Sequence, residues 1–179
     1  IREGYTFLGW NPAMPDKMPL NGLSVTAQWQ INKHTLTYYV DNVVYKTLEN
    51  VEYNTPITPE AEPTKVGYTF SGWSTIPSAM PDNNVSVTGS FSINQYTITF
   101  DTDGGTPVAS ITQDYDTKIT APANPTKQDY EFAGWDNALP ETMPAKDTTF
   151  VALWGPKTWK ETYDLNEGWS WLSFVMIND

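Results

Sequence analysis

The sequence predicts a mainly β protein made of tandem small modules with little helix, and three observations carry that prediction. The chain repeats itself: Gly4-Tyr5-Thr6-Phe7-Leu8-Gly9-Trp10 returns as Gly67-Tyr68-Thr69-Phe70-Ser71-Gly72-Trp73 and as Asp129-Tyr130-Glu131-Phe132-Ala133-Gly134-Trp135. Apolar and polar residues alternate with a period of two in several short runs, and no window sustains a helical stripe. Pro 14 and Gly 11 punctuate the 179 residues often enough to favour short strands over long helices.

Further landmarks recur in the same order. A Met-Pro loop follows each motif, at Met18-Pro19, Met80-Pro81 and Met143-Pro144, and then comes a strand-like run ending in Trp29, Phe91 or Trp154. Pro-Thr-Lys precedes the second and third motifs, at Pro63 to Lys65 and Pro125 to Lys127. These landmarks divide the chain into residues 1–30, the C-terminal half of a truncated repeat; complete repeats at 31–92 and 93–154; and residues 155–179, which match no part of a repeat and start a further β segment or domain. The motif tryptophans Trp10, Trp73 and Trp135 are 63 and 62 residues apart. That period exceeds the roughly 20–50 residues of solenoid repeats, so each repeat reads as a small domain.

The third repeat gives the layout in order. Tyr96, Ile98 and Phe100 alternate with Thr97, Thr99 and Asp101, the pattern of a half-buried strand. Asp103-Gly104-Gly105 supplies a hairpin turn, because glycine tolerates positive φ. A second strand is expected over roughly Val108 to Gln113, then a Pro-rich loop from Ala121 to Lys127, then a third strand at Tyr130 to Trp135. Beyond the Met-Pro loop a fourth strand carries Phe150, Ala152 and Trp154 in alternation.

Only Gln30 separates Trp29 from Ile31, and only Ser92 separates Phe91 from Ile93. Connections this short do not act as flexible coils. Each repeat also falls below the roughly 70–80 residues at which a single core is comfortable. Neighbouring repeats are therefore expected to stabilise each other, giving an elongated, fairly stiff array. The two strands of residues 1–30 expose pairing edges, and the expected partner is another chain or the tail.

Composition excludes several function classes. The net charge of -11 opposes phosphate backbones and anionic membrane surfaces, so no nucleic-acid partner is expected. No apolar run approaches the roughly 18 residues of a membrane span, so no direct membrane insertion of this segment is expected. No signal peptide opens the sequence, which starts inside a repeat. With Cys 0 there are no disulfides, thiolate nucleophiles or thiolate metal sites, and no cofactor is expected.

The Thr-rich strand, the Asp-x-x-Gly-Gly type turn, the Pro-Thr-Lys loop and Gly-Tyr-x-Phe-x-Gly-Trp together resemble the Listeria–Bacteroides repeat family, to which the internalin B-repeat belongs. Tyr96 to Gly105 with Pro125 to Trp135, and Thr35 to Asn42 with Pro63 to Trp73, carry the resemblance, which covers residues 1–154. It implies tandem β-grasp-like (ubiquitin- or SUMO-like) modules of a secreted or surface-anchored bacterial protein, a stalk or interaction region without catalysis. Two positions depart from the pattern: Asp41-Asn42-Val43 replaces the Gly-Gly turn in the second repeat, and Asp129 stands where the motif's first Gly would be.

Candidate sites are few. His34, the one histidine, falls on the core-facing side of its strand without a second His or any Cys, which argues against zinc sites and catalytic triads. Asp101-Thr102-Asp103-Gly104 suggests the start of a calcium loop, but the twelfth position is Thr112 and not an acid, so a turn is the better reading. Asp136 follows Trp135, whereas Ser74 and Asn11 follow the other motif tryptophans, so a catalytic Asp there would be missing from two repeats. The recurring aromatics, and Met80 and Met143, read as core. In the tail, Trp169 and Trp171 would share one strand face: exposed, they are a sugar-stacking platform; buried, they are the core of a following domain. The expected function is a cell-surface stalk or spacer. The alternative is an adhesin-type module that binds a host or cell-surface protein or a glycan.

Overall fold

A computed structural model describes residues 1–162 and 173–176. The described residues form strands, turns and loops, with no helix. The strands are β1 (Tyr5–Asn11), β2 (Thr26–Ile31), β3 (Lys33–Val40), β4 (Val43–Glu52), β5 (Tyr68–Phe70), β6 (Val85–Gly89), β7 (Phe91–Ile93), β8 (Gln95–Asp101), β9 (Ile111–Asp114), β10 (Tyr130–Trp135), β11 (Thr148–Pro156), β12 (Trp159–Thr162) and β13 (Ser173–Met176). They fall into two compact units, Ile1–Lys65 with Thr69–Ser92, and Val66–Tyr68 with the described residues from Ile93 onward.

In the second unit, β8 to β11 form one mixed sheet in the order β10-β11-β8-β9. β8 and β9 are antiparallel, as are β10 and β11, but the central pair β8 and β11 is parallel, with Ile98 opposite Thr148 and Phe100 opposite Phe150. A parallel pair needs a long crossover. Here it is the chain between Asp101 and Thr148, which includes β9, the Pro-rich loop and β10. The alternation along β8 turns Ile98 and Phe100 inward, where they bury with Ile119, Met143 and Phe150. β12 and β13 form a separate antiparallel pair.

The first unit builds the same centre from β3 and β6, which run parallel with Leu36 opposite Val85 and Tyr38 opposite Val87. β4 flanks β3 on the other side. Leu36, Tyr38, Met80 and Val87 form its core. β5 and β7 make a small sheet of their own, and β1 and β2 pair as a bulged hairpin whose register shifts between Phe7 and Gly9. The counterpart bulge in β10 lies between Phe132 and Gly134.

The Met-Pro loops close both cores. Met80 and Met143 are each 1% exposed, and each residue's backbone is tied to the facing loop: the Met80 N–H donates to Thr55 O and the Met143 N–H to Thr117 O. A flexible thioether suits the end of such a core, and burying it contributes roughly 1.5–3 kcal/mol. Met18, in the hairpin of β1 and β2, is 73% exposed.

The first turn falls where expected in both complete repeats but is built differently in each. Asp41-Asn42 makes the tight two-residue hairpin, with φ of 51° and 64° and Val40 paired to Val43. Both positions thus take the left-handed conformation that such a turn requires, and Asp and Asn tolerate it. Asp103-Gly104-Gly105 also turns, with the Gly105 N–H donating to Thr102 O, but a loop follows and β9 starts only at Ile111, later than expected. The glycine at 105 answers to packing: a Cβ there would lie 2.5 Å from the Trp154 ring. In the second repeat Val43 and Phe91 occupy the matching positions. Instead, Gly89 makes room for the ring of Phe70, which would lie 2.2 Å from a Cβ there.

Candidate functional site

His34 and Asp82 form a polar contact among the described residues, with His34 Nε2 2.8 Å from Asp82 Oδ1. β3 presents the imidazole beside Leu36 on its core-facing side, and the loop after Met80-Pro81 presents the carboxylate. Asn32 Nδ2 donates to the same oxygen at 2.8 Å, and Thr6 Oγ1 donates to Asn32 Oδ1 at 2.6 Å. The Asn32 hydrogen bond first, then that of His34 and a contribution from the Gly4 backbone, hold the Asp82 carboxyl below its ordinary value. In a hydrolytic triad the imidazole stands between carboxylate and nucleophile. Here the carboxylate is the hub and the only hydroxyl in the chain of bonds ends on an amide oxygen, so the network fastens β1 to the start of β3. Next to it the Tyr53 hydroxyl is pushed up, by burial first and then by the Glu3 carboxylate that it hydrogen-bonds.

The turn that suggested a calcium loop is filled from within. Lys127 Nζ donates to Asp103 O at 2.7 Å and lies 3.5 Å from Asp103 Oδ2. Asp101 Oδ1 accepts from the Asp103 N–H, and Thr102 O accepts from Trp154 Nε1. The ammonium also lies 5.0 Å from the Tyr130 ring centroid and 5.6 Å from that of Trp154. The lysine of the Pro-Thr-Lys loop is therefore a clamp on its own repeat, and Lys65 stands 5.7 Å from the Phe91 ring in the same manner. Its role was not read from the sequence, though its recurrence before an aromatic strand was the available signal. Among the described residues, no three His, Cys, Asp or Glu side chains gather as metal ligands.

Asp136 is also structural. Its Oδ1 accepts the Val151 N–H at 3.0 Å, and Ser74 Oγ accepts the Thr88 N–H at the matching point of the second repeat, also at 3.0 Å. The position asks for a short side chain with an acceptor oxygen, which Ser, Asp and Asn all provide.

In the two complete repeats the motif aromatics other than Tyr130 are half-buried and touch neighbouring rings edge to face or tilted. Trp73 lies 5.0 Å from Tyr38 and 4.9 Å from Phe70, and its Nε1 donates to Glu60 O. Trp135 lies 4.9 Å from Phe100 and 5.1 Å from Phe132. Phe7, Trp10 and Tyr130 depart from the core reading and are exposed.

Among the described residues, two surface concavities stand out by size. An open groove of about 600 Å³ runs past Asp41, Ser71, Trp73 and Ser74. Its polar groups already serve the fold: Asp41 Oδ1 accepts the Phe91 N–H and Ser71 Oγ the Ser90 N–H. An apolar hollow of about 490 Å³ lies over Tyr5, Phe7, Trp10 and Trp29, where Phe7 and Trp10 are 44% and 45% exposed. Trp169 and Trp171 lie outside the described residues.

The description "Listeria-Bacteroides repeat domain" matches this chain twice, over residues 34–91 and 96–153. The chain belongs to that family. A protein described as a Gly-rich membrane protein of Evansella cellulosilytica is 27% identical across 94% of the chain and 23% of its own length. Internalin H of Listeria monocytogenes is 34% identical across 59% of the chain and 20% of its own length. The chain thus spans only about a fifth to a quarter of these relatives. Among solved structures, SHIRT domains 3-4 of a streptococcal cell surface protein match 70% of this chain and 98% of their own, at 15% identity and a TM-score of 0.28.

Proposed function

We propose that this Listeria-Bacteroides repeat region is a non-catalytic stalk or spacer of a bacterial cell-surface protein, exposed outside the cell. One observation supports the reading above others: the residues that recur between repeats act on the fold. The motif aromatics pack on one another, Met80 and Met143 close the cores of the two complete repeats, and Lys65 and Lys127 sit on their own repeat's aromatic rings. A ligand common to all repeats would instead require a recurring outward patch. The modules are further read as β-grasp-like, which the parallel pairing of first and last strands at the sheet centre supports. The division at 1–30, 31–92, 93–154 and 155–179 belongs to the same reading.

The adhesin reading has its own supporting feature. β4 is a ten-residue strand at a sheet edge, and Val43, Val44 and Tyr45 along it are 69%, 56% and 47% exposed. An edge of this kind suits strand addition by an extended peptide of a host or cell-surface protein. Its counterpart β9 has four residues, so such a site would belong to one repeat only.

The test is a binding screen against glycans and matrix proteins, run on the chain and on a version ending at residue 154. Silence from both supports the spacer. Binding by both makes the repeats an adhesin, and binding by the longer chain alone moves the site to the tail, where Trp169 and Trp171 would carry it.

A further inference from the structure

The first glycine of the motif lies against a tyrosine of the repeat that follows it in sequence. Gly4, in the first unit, is buried at φ +71°, and a Cβ there would lie 1.9 Å from Cδ1 and 2.2 Å from Cγ of Tyr53. Gly67, in the second unit, is buried at φ +76°, and a Cβ there would lie 2.1 Å and 2.2 Å from the same atoms of Tyr115. The surroundings match. The Asn32 N–H donates to Gly4 O and the Tyr53 N–H to Asn32 O; the Asn94 N–H donates to Gly67 O and the Tyr115 N–H to Asn94 O, all at 2.9 Å. The next motif residue adds an edge-to-face ring contact, Tyr5 on Tyr53 and Tyr68 on Tyr115.

The third motif separates two explanations of the glycine. Asp129 has φ 63°, nearly the same backbone conformation, and its carbonyl still accepts a backbone N–H, from Lys157. The left-handed conformation therefore does not demand glycine here; Asp adopts it, as short polar residues do. What differs is the cover: Asp129 and Tyr130 are exposed, whereas Gly4 and Gly67 are buried. Asn32 and Asn94 each precede their tyrosine by 21 positions, and 21 positions beyond Lys157 the sequence has Asn178.

We infer that this contact is a recognition site between successive repeats: glycine at the motif's first position admits a following module whose tyrosine lies 21 residues after its entry asparagine, and Asp129 refuses one. The partner surface is thus a flat aromatic ring carried by the next repeat. The third repeat is the one adapted to be followed by something else, and residues 155–179 follow it.

A double-mutant cycle on the full chain tests this, with Gly67→Asp, Tyr115→Ala and both together, read by thermal unfolding. Gly67→Asp keeps the backbone conformation that Asp129 shows to be permitted, so its effect reports the ring. Overpacking of this kind should lower the midpoint of the second unit by on the order of 10 °C. In the Tyr115→Ala background the same substitution should change it little. Equal losses in both backgrounds would overturn the inference, because the glycine would then be needed for itself. If Gly67→Asp prevents folding, the same cycle at Gly4 and Tyr53 decides, read by proteolysis between β1 and β3. Protection lost with Gly4→Asp alone and no further loss when it is added to Tyr53→Ala supports the site, and independent losses refute it.

Discussion

Single residues in this chain are set by what the adjoining turn or repeat places against them. Tyr38 is fully buried, and its hydroxyl has no hydrogen-bond partner among the described residues. The third repeat has Phe100 at the matching position. A buried unpaired hydroxyl costs about 1–3 kcal/mol, so Tyr38→Phe should be neutral or stabilise the first unit, measured by denaturant unfolding. A clear loss would mean that the hydroxyl is bonded. Asp82 makes a pH-dependent prediction. Its carboxyl is held below the ordinary value by Asn32 and then His34, so the folded state favours the charged form. The stabilisation is present above the unfolded-state pKa and is lost as pH falls through the lower folded value. Asp82→Asn should therefore be less stable than the natural chain at neutral pH, with the gap closing in acid. A gap that is unchanged down to low pH would contradict the hub role of the carboxylate.

At the scale of elements, Met143 and Met18 are homologous in sequence and opposite in setting. Met143→Ala should cost about 2–5 kcal/mol by opening a cavity under β8 and β11, while Met18→Ala should fall within about 0.5 kcal/mol. Comparable losses would place Met18 in a core. Strands were legible where both faces differ: the alternation in β8 and β11 fixed their inward sides, and β10 begins and ends where the motif does. Alternation carries no information about partners, which is why the parallel pairing of β8 with β11 was not readable. The turn at Asp41-Asn42-Val43 was legible from its match to the Gly-Gly turn, but not that it closes within Asp41-Asn42, which follows from Asp and Asn reaching positive φ. Likewise Gly105 owes its identity to a ring 49 positions away in sequence, and no local rule reports that.

For the whole molecule, the internal repeat was the most legible feature, because it rests on several landmarks in one order. It led to the family, which the two matched segments establish. The candidate site was less legible. Sequence singled out Trp169 and Trp171 by type and spacing alone, and they fall outside the described residues. The β4 edge was hidden because exposure, not residue type, sets apart its Val43, Val44 and Tyr45. If β4 is only a solvent-facing edge, Val44→Lys should alter neither fold nor binding, since a surface change away from packed features shifts stability by about 0.5 kcal/mol or less. The central claim is that residues 31–154 space other parts of a surface protein and do not grip a ligand. Its most direct test is titration of the full chain, isotopically labelled, with glycans and matrix proteins, followed by amide shifts along β3 to β11. The spacer account predicts no saturable change in those amides. Saturable shifts centred on β4, abolished by Val44→Lys with the fold intact, would contradict it and make the repeats an adhesin.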